Sequence, residues 1–307
     1  MDEGRFWEKL AAIAPTRRQE PMAFHTTFRI GGPADFFAAV ATKDQLRRLV
    51  SLAREESVSF FLLGAGSNIL VSDCGVRGLV IENRTAGIEQ IVPDEAAQEG
   101  SFRVESGVAL AKLAHQSVAQ GWQGLEWAAG IPGTVGGAIV YNAGAFGGCL
   151  AQALKWAELL LPNDEIKQVA AEELGLGYRA SAIRSAAQKA VILSAELELT
   201  RGCAGDLRRR VTEQAAHRRE RQPNLPSAGS VFKNPPGNAA GRLIEQAGLK
   251  GHRVGDAQVS EKHANFIVNR GQARARDVIE LISLVRDKVN KRFGIPLELE
   301  VELVGEY

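Results

Sequence analysis

Apolar residues recur along this chain at two spacings, and the switches between them mark out its elements. Phe6, Leu10 and Ile13 share one side of a helix over residues 5–13. Thr42 caps a second helix, over residues 42–54, in which Leu46, Leu49, Val50 and Ala53 return at helical spacing. A third helix spans 109–120 and stops at Gly121, and a short one covers 240–248 with Leu243, Ile244 and Ala247 inward. The longest, over 273–293, carries the stripe Val278, Ile282, Val285, Val289 and Phe293. Lys288, Lys291 and Arg292 lie toward its end and Gly294 stops it, so the stripe is core. Period-two or short apolar runs predict strands at 28–30 and 36–40, joined by Gly31, Gly32 and Pro33, and at 60–63, 76–82, 102–105 and 265–268, while 69–72 is short and β-branched. Residues 86–100, with Pro93 and many acids, suit a hairpin and loop. In the last predicted strand, 296–304, Leu297, Leu299, Val301 and Leu303 alternate with Glu298, Glu300 and Glu302. The three glutamates then share one face, and on pattern alone Glu300 is structural.

Glycine is concentrated in one stretch, WAAGIPGTVGGAIVYNAGAFGG, at residues 127–148. Two small-residue runs, Gly130 to Ala138 and Asn142 to Gly147, flank residues 138–141, which suit a short apolar β segment. Glycine is costly to order, so this density calls for positive φ or a close backbone approach. Two such turns would present bare N–H groups suited to a diphosphate, although a pair of tight turns in an ordinary sheet is the plainer alternative. A further small-residue turn, Gly64-Ala65-Gly66-Ser67-Asn68, ends the strand at 60–63. It lacks the third glycine of a dinucleotide fingerprint, since position 69 is Ile, and no long helix follows. Its backbone and side-chain donors still suit phosphate.

Composition narrows the class. The 307 residues are 45% hydrophobic and 24% charged, which suits two or three domains. Lys plus Arg is 37 against Asp plus Glu 36, so no net field draws the chain to nucleic acid or to an acidic membrane. Cys74, Cys149 and Cys203 form no CxxC pair, which argues for a reducing compartment and against a thiolate metal site. No signal peptide or membrane span is visible, so a cytoplasmic protein is expected. Short strands punctuated by glycine, with occasional helices, give an α+β domain over about residues 20–200.

Beyond it, the basic run at 207–222 lacks interleaved aromatics and suits a solvated helix face better than an RNA contact. SAGSVFKNPP gathers Ser230, Lys233 and Asn234 beside an apolar Val231 and Phe232, an arrangement suited to anchoring an anionic ligand.

The strings TTFRIGGPAD, LGAGSNILVSD and GIPGTVGGAIVYNAGAFG closely resemble the UDP-N-acetylenolpyruvoylglucosamine reductases (UDP-N-acetylmuramate dehydrogenases). YRASAIR, PSAGSVFKNP, AGRLIEQAGLKG, VSEKHANFIVN and LELEV continue that resemblance over nearly the whole chain. It implies an FAD-binding fold of the vanillyl-alcohol oxidase type with two α/β subdomains, about 1–56 and about 57–204, and a C-terminal α+β substrate domain at 205–307. It implies FAD and NADPH as cofactors, and NADPH-dependent reduction of UDP-N-acetylglucosamine enolpyruvate in peptidoglycan precursor synthesis. The expected partner is that small molecule alone, with no nucleic acid, membrane or metal, and the expected state is a monomer.

By the same resemblance FAD is held by Gly64, Ala65, Gly66, Ser67, Asn68, Gly130, Pro132, Gly133, Thr134, Gly136, Gly137, Asn142, Gly144 and Ala145. Hydride goes to C3 of the enolpyruvyl group. Arg179 and Glu300 answer the charge that builds at its carboxylate, Glu300 working best as a neutral acid with a raised pKa. Ser230 then gives the proton. Tyr178, Arg221, Lys233, Asn234 and His263 would contact substrate, with a structural role for His263 as an equal alternative. Phe146 stands where the family has tyrosine, which removes a hydroxyl and keeps a ring. The 50 residues between Arg179 and Ser230 match the shorter subtype of the family. Two other classes fit less well. A flavin oxidase on the same fold would not need SAGSVFKNP or LELEV, and a non-catalytic nucleotide-sugar binder would not need all three of Ser230, Arg179 and Glu300.

Overall fold

The computed structural model describes residues 2–91, 97–184 and 190–307. The chain forms two compact units, each assembled from separated stretches. The first comprises Met1–Thr16, Ala38–Gly64 and Ile81–Arg218, and the second Arg17–Phe37, Ala65–Val80 and Arg219–Tyr307. Strands Pro33–Val40 and Val76–Asn83 carry the chain from one unit into the other.

The first unit is built on an antiparallel sheet in the order Ile166–Ala170, Leu154–Leu160, Val191–Arg201, Glu99–Glu105, Ile88–Ile91, with Trp122–Gln123 added to Val191–Arg201. The first seven residues of the central strand, Val191–Arg201, are all buried, because the sheet is covered on both faces there. Ile88–Ile91 and Glu99–Glu105 form the arms of the expected hairpin, pairing from Ile88↔Val104 to Ile91↔Ser101. The loop at 92–96 lies outside the described residues. Helix Lys43–Glu55 forms as its spacing predicts, with a full capping box between Thr42 and Gln45. It is tied to the sheet through Lys43 to Glu158 at 2.9 Å and Arg54 to the Leu161 carbonyl at 2.6 Å.

Residues 138–141 are not a strand. They complete a one-and-a-half-turn helix, Val135–Val140, whose N-cap Thr134 accepts the Gly137 amide at 3.3 Å. Val135, Ala138 and Ile139 are its buried positions, and that is helical spacing. The glycines between them disguise it as a β segment. A strand at 28–30 is also absent. Arg29 turns left-handed at φ 56°, and the Thr26 hydroxyl bonds to both the amide and the carbonyl of Ile30. Phe28 and Ile30 are buried as coil, and the strand preceding Pro33–Val40 is Thr16–Pro21.

In the second unit a small antiparallel sheet, Arg253–Val254, Ala257–Val259 and Ile267–Asn269, packs under helix Ala275–Phe293. Val278, Leu281, Ile282, Val285 and Val289 of that helix are buried, each stabilising the unit by about 1.5–3 kcal/mol. Asp73 caps its start, accepting the amides of Ala275 at 2.8 Å and Arg276 at 3.1 Å. Gly294 closes it left-handed at φ 69°. Of the strand expected at 296–304, only Glu302–Val304 is regular, pairing in parallel with Ile69–Val71. A bend at Val301 resets the alternation, so Val301 and Val304 are buried and Leu303 is exposed.

Candidate active site

The first unit holds Gly64, the glycine stretch from Gly130 to Ala145, Tyr178 and Arg179. The second holds Ala65, Gly66, Ser67, Asn68, Arg221, Ser230, Lys233, Asn234, His263 and Glu300.

In the first unit the end of strand Phe60–Leu63 meets the start of the short helix. A Cβ on Gly64 would stand 2.6 Å from the Thr134 hydroxyl, so only glycine lets the two turns touch. Around them Gly130, Pro132 and Gly137 are exposed. Gly144 and Gly148 have a packing reason: a Cβ on Gly148, for instance, would sit 2.4 Å from the Trp127 ring. Part of the glycine density is thus close packing, and part is solvent-exposed at Gly130 and Gly137.

The turn after this helix is held from both sides. The Asn142 side chain donates to the Gly177 carbonyl at 3.0 Å and accepts the Ala151 amide at 3.0 Å. The Arg179 guanidinium reaches the Gly144 carbonyl at 3.2 Å, and the Ser181 hydroxyl the Val140 carbonyl at 2.7 Å. Asn142, Phe146 and Arg179 are all left-handed, at φ 41°, 53° and 53°, a conformation costing a non-glycine residue about 1–2 kcal/mol. Such clustered strain persists where neighbouring bonds over-determine the backbone, and it fits a built site. Phe146 is exposed and meets His217 edge-on at 5.6 Å, while Tyr178 is exposed beneath the Arg179 guanidinium at 5.5 Å.

One residue of this unit was not foreseen. Arg218 lies against Gly130, within 3.0 Å of where a Cβ there would be, and burial pulls its guanidinium below the usual arginine range. A desolvated cation beside exposed glycine backbone is suited to an anion. Its signal was lost among the other arginines of the helix Ala204–Arg221.

The second unit brings Ser230 and Glu300 onto neighbouring segments. Ser230 forms a single antiparallel bridge with Phe266, and Phe232 another with Leu299. The Glu300 amide donates to the Val231 carbonyl at 2.8 Å, and the Asn68 side chain donates to the Glu300 carbonyl at 3.1 Å. Glu302 donates its amide back to the Asn68 carbonyl at 2.9 Å. Lys233 pairs with Glu298 at 3.3 Å, and the Asn234 side chain accepts the Ala240 amide at 3.0 Å, at the start of helix Ala240–Gln246. His263 lies beside Gly241 and edge-on to Phe266 at 4.9 Å. Burial, with the nearby Lys250 and Arg221 charges, holds its pKa below the ordinary histidine value. Arg221 is exposed at the end of its helix.

Sequence reading passed over two more residues here. Asn265, buried, clamps both backbone groups of Phe232, accepting its amide at 3.0 Å and donating to its carbonyl at 2.8 Å. Thr27 bonds both to Gly66 and to Ser227. A polar residue inside the apolar run HANFIV was the available sign of the first; nothing in sequence marked the second.

The exposed glycine at Gly130 with the Arg218 cation beside it, and the Thr134 hydroxyl, fit an anionic, diphosphate-bearing cofactor. The chain is a flavoprotein: the family model described as "FAD binding domain" matches residues 34–170. A second model, "UDP-N-acetylenolpyruvoylglucosamine reductase, C-terminal domain", matches residues 222–304. The chain is 48% identical over 290 residues to UDP-N-acetylenolpyruvoylglucosamine reductase 2 of Symbiobacterium thermophilum, covering 94% of this chain and 92% of that one. It is 43% identical over 310 residues to the reductase of Alkaliphilus oremlandii, covering all of both chains. The crystal structure of the Thermus caldophilus reductase superposes with a TM-score of 0.78 at 37% identity, over 95% of this chain and 98% of that one. The chain therefore belongs to the UDP-N-acetylenolpyruvoylglucosamine reductase family. Among the described residues no helix is long and apolar enough to cross a membrane.

Proposed function

We infer that the protein reduces UDP-N-acetylglucosamine enolpyruvate to UDP-N-acetylmuramate at the expense of NADPH, a step of peptidoglycan precursor synthesis. FAD, when bound, supplies the hydride relay from NADPH to the enolpyruvyl carbon. By family resemblance the GAGSN turn and the Gly130–Ala145 stretch are assigned to hold it; within the first unit Thr134 lies beside Gly64 and Arg218 beside Gly130. Ser230 hands a proton to the substrate α-carbon. A serine hydroxyl is a weak acid, so it serves only if held toward a strongly basic carbon, and the bonds around Val231 and Phe232 hold it. Glu300 and Arg179 are assigned to the substrate carboxylate, where negative charge grows as hydride arrives. Lys233, Asn234, Arg221, His263 and Tyr178 are assigned to the rest of the substrate. We place the activity in the cytoplasm, in a monomer whose three cysteines are free.

The observation that carries this reading is the bond from the Glu300 amide to the Val231 carbonyl. It sets the proposed proton donor and the proposed acid on adjacent segments, next to the turn that carries Asn68. The test is anaerobic stopped-flow absorbance near about 450 nm, mixing NADPH first and the enolpyruvyl substrate second. Bleaching by NADPH and recovery with that substrate are expected, and Ser230→Ala should keep the bleaching and lose the recovery. Colour that returns only with oxygen would make the protein an oxidase, and a protein that takes up no FAD would overturn the assignment.

A further inference from the structure

We infer that Thr27 is a positioning residue that ties the cofactor-binding turn to the proton donor's loop, so that filling the turn fixes Ser230 and Glu300 together. The inference rests on the reductase reading given above.

Four stretches far apart in sequence close a ring of hydrogen bonds within the second unit. The Thr27 amide donates to the Gly66 carbonyl at 3.1 Å. The Thr27 hydroxyl lies 2.7 Å from the Ser227 carbonyl and 3.3 Å from that of Gly66. It has one proton, and the shorter contact takes it. Ser227 stands three residues before Ser230. From there the ring runs to Val231, whose carbonyl accepts the Glu300 amide at 2.8 Å, and the Glu300 carbonyl accepts from Asn68 at 3.1 Å. Asn68 is two residues from Gly66, and the ring is closed.

The turn in this ring has little room to give. Gly66 is left-handed at φ +60°, and a Cβ there would fall 2.1 Å from the His25 carbonyl. Backbone therefore presses on backbone beside Thr27, and a ligand that orders residues 64–68 acts directly on residues 25–27. Beyond Asn68, the parallel ladder of Ile69–Val71 with Glu302–Val304 carries the same constraint along the segment after Glu300.

The ring also explains why Thr27 positions rather than holds the fold. The loop has a second anchorage, Asn265, through the Val231 amide at 2.8 Å and both backbone groups of Phe232. The Ser227 carbonyl that Thr27 meets lies in an exposed region, so water can take over that bond when the hydroxyl is removed. Loss of the hydroxyl should free the register of residues 227–230 without unfolding them.

The test compares wild type with Thr27→Val, which keeps the shape and the amide, and Thr27→Ser, which restores the hydroxyl. All three are loaded with FAD and followed by anaerobic stopped-flow, NADPH first and the enolpyruvyl substrate second. In parallel, amide hydrogen exchange is measured over residues 227–232 and 298–302 with and without FAD. The expected Thr27→Val protein binds FAD and bleaches with NADPH as wild type does. Its recovery is about tenfold slower, roughly one hydrogen bond's worth of misplacement, and Thr27→Ser recovers normally. FAD should slow exchange over 227–232 in wild type and leave it unchanged in Thr27→Val. Recovery at the wild-type rate, an equal loss in bleaching and recovery, or undiminished FAD protection of 227–232 in Thr27→Val would overturn the inference. A wild type that binds no FAD or is not reoxidised by the enolpyruvyl substrate would overturn the functional reading itself.

Discussion

Replacing Asn265 with alanine isolates what holds the Ser230 loop in place. Asn265 is 4% exposed, and its carboxamide satisfies the amide and the carbonyl of Phe232, itself 1% exposed. Alanine leaves both backbone groups buried without that partner. Each such orphan costs about 1–3 kcal/mol, so the loop should lose roughly 2–6 kcal/mol against local opening. At 1.4 kcal/mol per factor of ten, the Phe232 amide should exchange at least about 30 times faster than in wild type. The backbone bond from Val231 to the Asn265 carbonyl remains, so exchange at Val231 should rise less. Asn265→Asp keeps an acceptor for the Phe232 amide and loses the donor to its carbonyl, and it should fall between the two. Native-state hydrogen exchange read residue by residue is the assay. An Asn265→Ala protein whose Phe232 amide exchanges within about threefold of wild type would refute the reasoning, because the carboxamide would then not be what keeps these groups closed.

Two more outcomes follow from groups in the same unit. Burial raises the Glu302 carboxyl above its usual 4.5. The unfolded chain then releases that proton at lower pH than the folded one, and stability falls as pH rises from 4.5 through the raised value. Glu302→Gln should therefore raise the thermal midpoint at pH 7 and leave it unchanged at pH 4, as scanning calorimetry at the two pH values would read. Asp73→Ala removes the N-cap of helix Ala275–Phe293 and should cost about 1–2 kcal/mol in urea unfolding, with Asp73→Asn recovering much of it.

The helices were legible because their signals are local. Thr42 with Gln45, the stripe from Val278 to Val289, and Gly294 each act within a few residues of themselves. The misread segments are those whose conformation depends on distant partners. Residues 138–140 are helical because the Val135 and Gly136 amides are taken by the Val108 and Ser106 carbonyls, which aims the Thr134 cap. Glu300 looked like one of three equal glutamates in an alternating run. The bend at Val301 and the bonds to Asn68 and Val231 distinguish it, and both partners lie far away in sequence. Ser230, Arg179 and Glu300 were singled out as catalytic by family resemblance alone, which carries such long-range information. It does not reach Arg218, Asn265 or Thr27, which stand out only through packing and through bonds to other residues' backbones.

The parallel pairing of Ile69–Val71 with Glu302–Val304 has a consequence for biosynthesis. The Asn68–Glu300 bond spans 232 residues, and the Tyr307 hydroxyl bonds to the Leu70 carbonyl across 237. During translation the GAGSN turn leaves the ribosome well before the strand that flanks it, which follows Glu300, 232 residues after Asn68. Closing contacts of such separation is slow, and the turn must wait for them without its neighbour. A chain ending before Glu302 would carry the GAGSN turn and lack the strand that pairs beside it. The surroundings of this turn are therefore completed only after the 232 residues that separate Asn68 from Glu300 have been made.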